Sequence, residues 1–213
     1  RGTGGGLHIY KGSLVFNGNE NAFATLLNNR APASCGGGLY GSYVEMVDID
    51  YLRAEENSSV YGGGIYLQYC NNCTIDGGVF TKNYSNQGAG LFVRSGCTTI
   101  KGGEFTYNKA GAPPKNPDGT YLYVEDTANK HGGGIVFDDL TTDIADSWAK
   151  IEGGVISHNS APYGGGIWIK NIGQVKTGCS PNVTMTGGDI TYNTATDGGG
   201  VYVDGNGHRA DDD

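Results

Sequence analysis

The chain has 213 residues, 39 of them glycine and 6 proline, and a formal net charge of −8. Acidic residues outnumber basic ones by 22 to 14 and the basic ones are scattered, which argues against a nucleic-acid partner and against an anionic membrane surface. No apolar run approaches a membrane span or a signal-peptide core, so no direct membrane insertion is expected.

From the N-terminus, a glycine triplet or its near equivalent opens a short apolar strand seven times, at Gly4, Gly36, Gly62, Gly88, Gly132, Gly164 and Gly198. The strands that follow read LHI, LYG, IYL, LFV, IVF, IWI and VYV. Successive triplets lie 32, 26, 26, 44, 32 and 34 residues apart, a range in which self-similarity marks a solenoid or array. A second anchor sits inside four units: Ile75-Asp-Gly-Gly-Val-Phe80, Ile100-Lys-Gly-Gly-Glu-Phe105, Ile151-Glu-Gly-Gly-Val-Ile156 and Met185-Thr-Gly-Gly-Asp-Ile190. Each leads into an asparagine, and Leu26 and Ala54 hold the same place ahead of Asn29 and Asn57.

These runs alternate with period two and are too short and too glycine-rich for helices, so they read as strands. Parallel strands ordinarily need long crossovers, whereas a coil that returns each strand onto its own counterpart does not. The predicted fold is all-β: a right-handed parallel β-helix of about seven coils with variable loops, a single domain over residues 1–213. Residues 111–130 form an inserted loop. Because the first triplet begins at Gly4 with no polar cap before it, the chain is expected to be a processed or excerpted part of a longer one.

Alternation assigns faces. The third residue from each first glycine (Leu7, Leu39, Ile65, Leu91, Ile135, Ile167, Val201) and the fifth should point inward. The fourth should point outward, so His8, Tyr40, Tyr66, Phe92, Val136, Trp168 and Tyr202 form one candidate contact face. Three uses compete for it: self-association into a fibre wall, a stacking platform for sugar rings, or a ladder shielded by the molecule's own loops, residues 111–130 being the largest. Asn29, Asn57, Asn83, Asn108, Asn159 and Asn193 are expected to stack at an inward-facing corner. Asparagine tolerates the left-handed conformation of a sharp turn, and its amide both donates and accepts, so stacked copies bridge neighbouring coils. Small residues two places later, Ala31, Ser59, Ser85, Ala110, Ala161 and Ala195, suit the same cramped corner.

Five cysteines leave at least one unpaired by internal bonds. Cys97 falls one coil beyond Cys70 and Cys73, so a disulfide from Cys97 to either is a reasonable clip, while Cys35 and Cys179 lie several coils apart. Inert buried thiols are the alternative, and Cys-x-x-Cys alone is a weak metal signal. Four sequons occur. Asn57 and Asn83 belong to the inward ladder, whereas Asn72 and Asn182 lie in variable outward segments and are the candidate glycosylation sites.

The pairing of GGG-Ile/Val/Leu with Phe80 to Asn83, Phe105 to Asn108, Ile156 to Asn159 and Ile190 to Asn193 resembles the GGA-Ile/Leu/Val and Phe-x-x-Asn repeat of the polymorphic outer-membrane proteins. The resemblance covers nearly the whole chain and implies a surface-exposed β-helix concerned with adhesion, assembly and immune exposure. Glycine replaces the family's alanine in six of the seven triplets, Gly88-Ala89-Gly90 being the exception, and no C-terminal barrel follows. Surface location therefore carries over better than the family's autotransport.

Catalysis is the competing class. Asp138, Asp139, Asp143 and Asp146 form an acidic cluster that suits either a solvated loop or calcium. A polygalacturonase would need an Asn-Thr-Asp, Asp-Asp, Gly-His-Gly and Arg-Ile-Lys series, of which only Asp138-Asp139 is present. His8, His131, His158 and His208 occupy unrelated places in the repeat, His158 at a corner. The sequence thus points to a non-enzymatic extracellular module, a structural or adhesive unit of a cell-surface protein or fibre. It implies no cofactor and no metal, and expects self-association with a glycan or host-surface ligand as a further partner. The alternative is a carbohydrate-binding or lyase-like β-helix.

Overall fold

The computed structural model describes residues 4–19, 21–128, 130–138, 147–171 and 183–205. Expectations that fall on Asp139, Asp143, Asp146, Cys179, Asn182 and His208 lie outside the described residues. Among the described residues every element is a β-strand, and the strands pair in parallel.

Three sheets result. The first has 11 strands, and along its main row Leu7–Tyr10, Leu39–Ser42, Ile65–Ile75, Leu91–Ile100, Ile135–Asp138, Ile167–Asn171 and Val201–Gly205 lie side by side in repeat order. The second has six, from Ala24–Leu27 through Leu52–Glu55, Val79–Thr81, Glu104–Thr106 and Val155–Ser157 to Asp189–Thr191. The third has four, Arg30–Cys35, Ser58–Tyr61, Tyr84–Ser85 and Lys109–Ala110, and single bridges carry it on to Ser160 and Thr194. Register follows the repeat: Leu39 opposes Leu7 and Ile65, and Phe80 opposes Ala54 and Phe105. Each residue therefore meets its equivalent one repeat away, at a strand spacing of about 4.8 Å.

Period-two alternation fills the centre as the sequence requires. Ile65, Leu67, Leu91, Val93, Ile135 and Phe137, at third and fifth positions, are fully buried. Phe80 and Phe105 from the second sheet stack beside them at 4.5 Å and 9°. The columns open toward the ends, where Val201 and Val203 are 42% and 59% exposed.

Two features differ from the sequence expectation. The run from Ile75 to Phe80 is not one strand: one strand ends at Ile75 and the next begins at Val79. Gly78, Gly103, Gly154 and Gly188 have φ between 92 and 115°, a region open to glycine alone, and the chain turns there. The fourth-position column is also not an exposed face. His8 is exposed, and Tyr40 and Tyr202 are half-buried, but Tyr66, Phe92, Val136 and Trp168 are buried and form a second apolar cluster. The cover comes from the residue before each triplet, which the positive φ of the first glycine leads in and which packs over the fourth-position residue of the next repeat. At Gly62 a Cβ would come within 2.7 Å of the Tyr66 Cβ. Tyr61, just before that glycine, packs edge-on against Phe92 at 6.0 Å, and His131, just before Gly132, stacks on Trp168 at 4.5 Å.

The covering column makes Trp168 a core residue. Trp168→Ser and Phe105→Ala should each lower the unfolding free energy by about 3–5 kcal/mol, whereas Tyr192→Ser, at a position 79% exposed, should change it by no more than about 0.5 kcal/mol. Denaturant titrations that left the Trp168 variant unchanged would return that ring to solvent.

Candidate functional site: the asparagine ladder and its flanking columns

The six expected asparagines are brought together in one continuous ladder. The Asn57 Oδ1 accepts from the Asn29 backbone N–H at 2.9 Å and from Asn29 Nδ2 at 3.0 Å. The Asn57 Nδ2 in turn donates to Asn83 Oδ1 at 3.1 Å and back to the Leu26 carbonyl at 2.8 Å. The same pattern runs from Asn83 to Asn108, from Asn108 to Asn159 and from Asn159 to Asn193, with back-donation to the Ala54, Phe80, Phe105 and Ile156 carbonyls. Between the ends, each amide oxygen accepts two hydrogen bonds and each amide nitrogen donates two. Full satisfaction is what permits Asn57, Asn83, Asn108 and Asn159 to lie buried.

The left-handed corner is present but one residue earlier than expected. Asn28, Glu56, Lys82, Tyr107, His158 and Tyr192, each just before a ladder asparagine, have φ between 52 and 56°. The turn thus falls on the preceding residue and aims the asparagine amide inward. The third glycine of the first six triplets packs against this amide: a Cβ at Gly64 would sit 2.6 Å from the Gly90 carbonyl oxygen and 3.1 Å from Asn83 Nδ2. That contact is why glycine and not alanine holds the position.

No disulfide joins any two of the described cysteines, Cys35, Cys70, Cys73 and Cys97, so the clip from Cys97 to Cys70 or Cys73 is not formed. Alternation explains this. Cys73 is paired with Thr98 across adjacent strands and both side chains are buried, which turns Cys97 to the opposite face. Burial pushes the Cys35 thiol up to about 11 and Cys70 to about 12, and raises Cys73 further. Sequence reasoning had offered buried thiols only as the alternative; the signal for them was Cys73 standing two residues before the inward Ile75.

The loop at 111–130 runs back along the third sheet. The Val124 N–H donates to the Pro32 carbonyl, Asn86 Nδ2 donates to the Val124 carbonyl, and Tyr61 Oη donates to Asp126. The buried Tyr123 hydroxyl lies 2.9 Å from the Ser85 carbonyl. The same small-residue column continues beyond the loop as an open groove of about 490 Å³, lined by Ala110, Ala161 and Ala195 with Lys109 and Lys130.

Among the candidate catalytic groups, Asp138 sits in an alternating charged column: it is in register with Arg94 and lies 3.8 Å from Lys170, which is in register with Asp204. His8, His131 and His158 lie on three different columns, the fourth position, the residue before a triplet and the left-handed corner. Burial holds His131 below the usual imidazole range. Asn72, the described candidate sequon, is exposed, while Asn57 and Asn83 are buried.

Sequence reasoning missed two exposed aromatic rows. Tyr107, His158 and Tyr192 stack at 4.8 and 5.1 Å along the left-handed corner. Along the first sheet the half-buried Tyr69 follows the exposed Tyr43 at 4.8 Å, and the exposed Tyr10 meets Tyr43 edge-on at 6.0 Å. The signal was aromatic recurrence just before the ladder asparagines and, for Tyr43 and Tyr69, seven residues after the first glycine. Comparison with family models, with curated proteins and with solved structures finds no match in any of the three.

Removing one ladder amide should be felt on both sides. Asn108→Ala leaves the Asn83 donors buried without an acceptor and should cost about 2–5 kcal/mol by denaturant titration. Asn108→Asp keeps that acceptor but sets a carboxylate against the Phe80 carbonyl and Asn159 Oδ1. Protonation restores a donor, so this variant should regain stability as pH falls; a variant stabilised by rising pH would contradict the ladder.

The thiols yield a second test. Cys70 and Cys73 should resist alkylation at pH 8 in the native state and react within minutes in denaturant. Because their folded values are raised, the stabilisation is complete below the unfolded thiol value of about 8.5 and fades as pH rises above it. Native reactivity equal to that of a free thiol would place them at the surface.

Proposed function

We propose that the chain is a right-handed parallel β-helix of about seven coils that serves as a non-enzymatic structural or adhesive unit of an extracellular protein or fibre. The observation that carries this reading is the unbroken hydrogen-bonded ladder from Asn29 to Asn193. It spends the buried asparagine amides on cohesion between repeats. Support also comes from the three sheets, in which every strand meets its equivalent from the next repeat. The repeat resembles that of the polymorphic outer-membrane proteins, which favours a surface setting and self-association. The three described histidines, dispersed over three columns, favour scaffolding over acid–base chemistry.

Carbohydrate binding is the second reading, favoured by the exposed tyrosine rows. Electron microscopy of native material, together with sizing across concentration, tests the first: filaments or concentration-dependent growth are expected. A protein that stays monomeric at every concentration and binds a glycan through Tyr107 or Tyr192 would replace it with the second.

Native glycopeptides check the extracellular setting. In a secretory pathway that glycosylates asparagine, Asn72 should be occupied, and Asn57 and Asn83 should be bare because a glycan has no space at a fully buried ladder amide. Occupancy at Asn83 in folded material, read by mass spectrometry, would overturn the inward ladder.

A further inference from the structure

In a stack of repeats each unit ordinarily touches only its neighbours. Counting repeats from Gly4, the loop of the fourth reaches back across the three before it. Asn116 Oδ1 accepts from Arg30 Nη1 at 2.6 Å, and the Val124 N–H donates to the Pro32 carbonyl at 2.8 Å, both in the first repeat. Tyr61 of the second repeat donates its hydroxyl to Asp126 at 3.1 Å. In the third, Asn86 Nδ2 donates to the Val124 carbonyl at 2.9 Å while Asn86 Oδ1 accepts from the Asp126 N–H at 3.0 Å. One side-chain amide therefore pairs with two backbone groups of an extended segment, as a neighbouring strand would.

The repeat itself does not call for that amide. The same position, three residues after the ladder asparagine, holds Pro32, Val60, Gly111, Pro162 and Thr196 in other repeats. Asn86 is nevertheless fully buried, and it is the loop that satisfies its side chain. Tyr123 makes the second specific contact. Its ring is buried, with the hydroxyl 2.9 Å from the Ser85 carbonyl and 3.0 Å from the Gly111 carbonyl. The Val124 side chain stays 60% exposed, so the seat reads backbone there and side chains at Tyr123 and Asp126. The loop also carries its own shape: Lys115 and Tyr121 bridge antiparallel, and the Asn116 N–H donates to the Thr120 carbonyl at 2.7 Å. A segment folded on itself and held by an amide clamp, a phenol slot and a carboxylate is built like a bound peptide.

We propose that this seat on the third sheet is a peptide-binding site for an extended Tyr-x-x-Asp segment, filled in cis by residues 112–128, and that its occupation ties the first four repeats into one cooperative unit. The site stands whether or not copies of the chain self-associate.

Two arms test this. In the full chain, Asn86→Val installs the residue of the preceding repeat and removes the clamp. Hydrogen exchange is read at Ser58, Tyr84 and Lys109, whose N–H groups join successive repeats, and at Thr194, which lies beyond the fourth. In wild type the first three should open together; in the variant Ser58 and Tyr84 should exchange about tenfold faster or more, the factor expected from two lost hydrogen bonds, with Thr194 unchanged. In the second arm, deleting residues 112–130 joins Gly111 to His131, the spacing Asn86 and Gln87 have in the third repeat, where Ser85 is in register with Ala110 and Gln87 with His131. A synthetic peptide of residues 112–130 should bind the shortened chain, saturating by ~1 mM, the effective concentration of a short tether, and should slow exchange at Ser58. The same peptide with Tyr123→Phe should bind about tenfold more weakly. If the shortened chain does not fold, the first arm decides alone. Unchanged exchange at Ser58 in Asn86→Val, equal acceleration at Thr194, or a folded shortened chain that the peptide does not bind would overturn the site.

Discussion

A buried amide must have every donor and acceptor met, and in this chain that demand is satisfied only by the next copy of the same amide. Between the ends, each ladder asparagine takes two hydrogen bonds from the one before, gives two to the one after, from its backbone N–H and its amide, and gives one back to a carbonyl of the repeat behind. Neither a repeat nor its asparagine is complete alone. The three parallel sheets, the spacing of one strand rise and the uniform register all follow from holding these amides in line.

The rest of the sequence pattern serves that line. The residue before each asparagine takes the left-handed conformation, which turns the amide inward. The glycine triplet gives it room, because the third glycine lies against the amide and the carbonyl of the following triplet, where a methyl group would clash. The first glycine bends the chain so that Tyr61 and His131 cover Phe92 and Trp168. Glycine is therefore abundant for reasons of contact as much as of freedom. The 44-residue repeat shows how local these requirements are: it inserts a loop between Asn108 and Gly132, yet the Asn108–Asn159 hydrogen bond remains 3.0 Å.

The strands, the inward columns and the ladder were legible in the sequence because each depends on a short spacing that recurs. Ile65, Leu91 and Ile135 declare one face by alternation alone, and Asn83, Asn108 and Asn159 declare the corner by following a strand at a fixed distance. What alternation does not encode is what lies over the opposite face. Trp168 reads as outward, and it does point away from the centre, but His131 from the preceding turn covers it. The absent clip at Cys97 has the same origin, since proximity along the repeat does not say which way a side chain faces. The corner conformation was assigned to the asparagine on propensity, whereas the fold sets it on residues as unsuited to it as Tyr107 and Tyr192.

The ladder also has a direction. From Asn57 to Asn193 each amide oxygen accepts from the N-terminal side, and from Asn29 to Asn159 each amide nitrogen donates to the next amide on the C-terminal side, so the amide-to-amide bonds all run one way and the stack behaves like a polymer with unlike ends. Asn29 turns an acceptor toward whatever precedes it, and Asn193 turns donors toward whatever follows. A further repeat added at either end meets the hydrogen-bonding group it requires, and one added upside down meets its own kind. Polarity of this sort makes the array extendable in one orientation only, by the same rule that holds each repeat to the last.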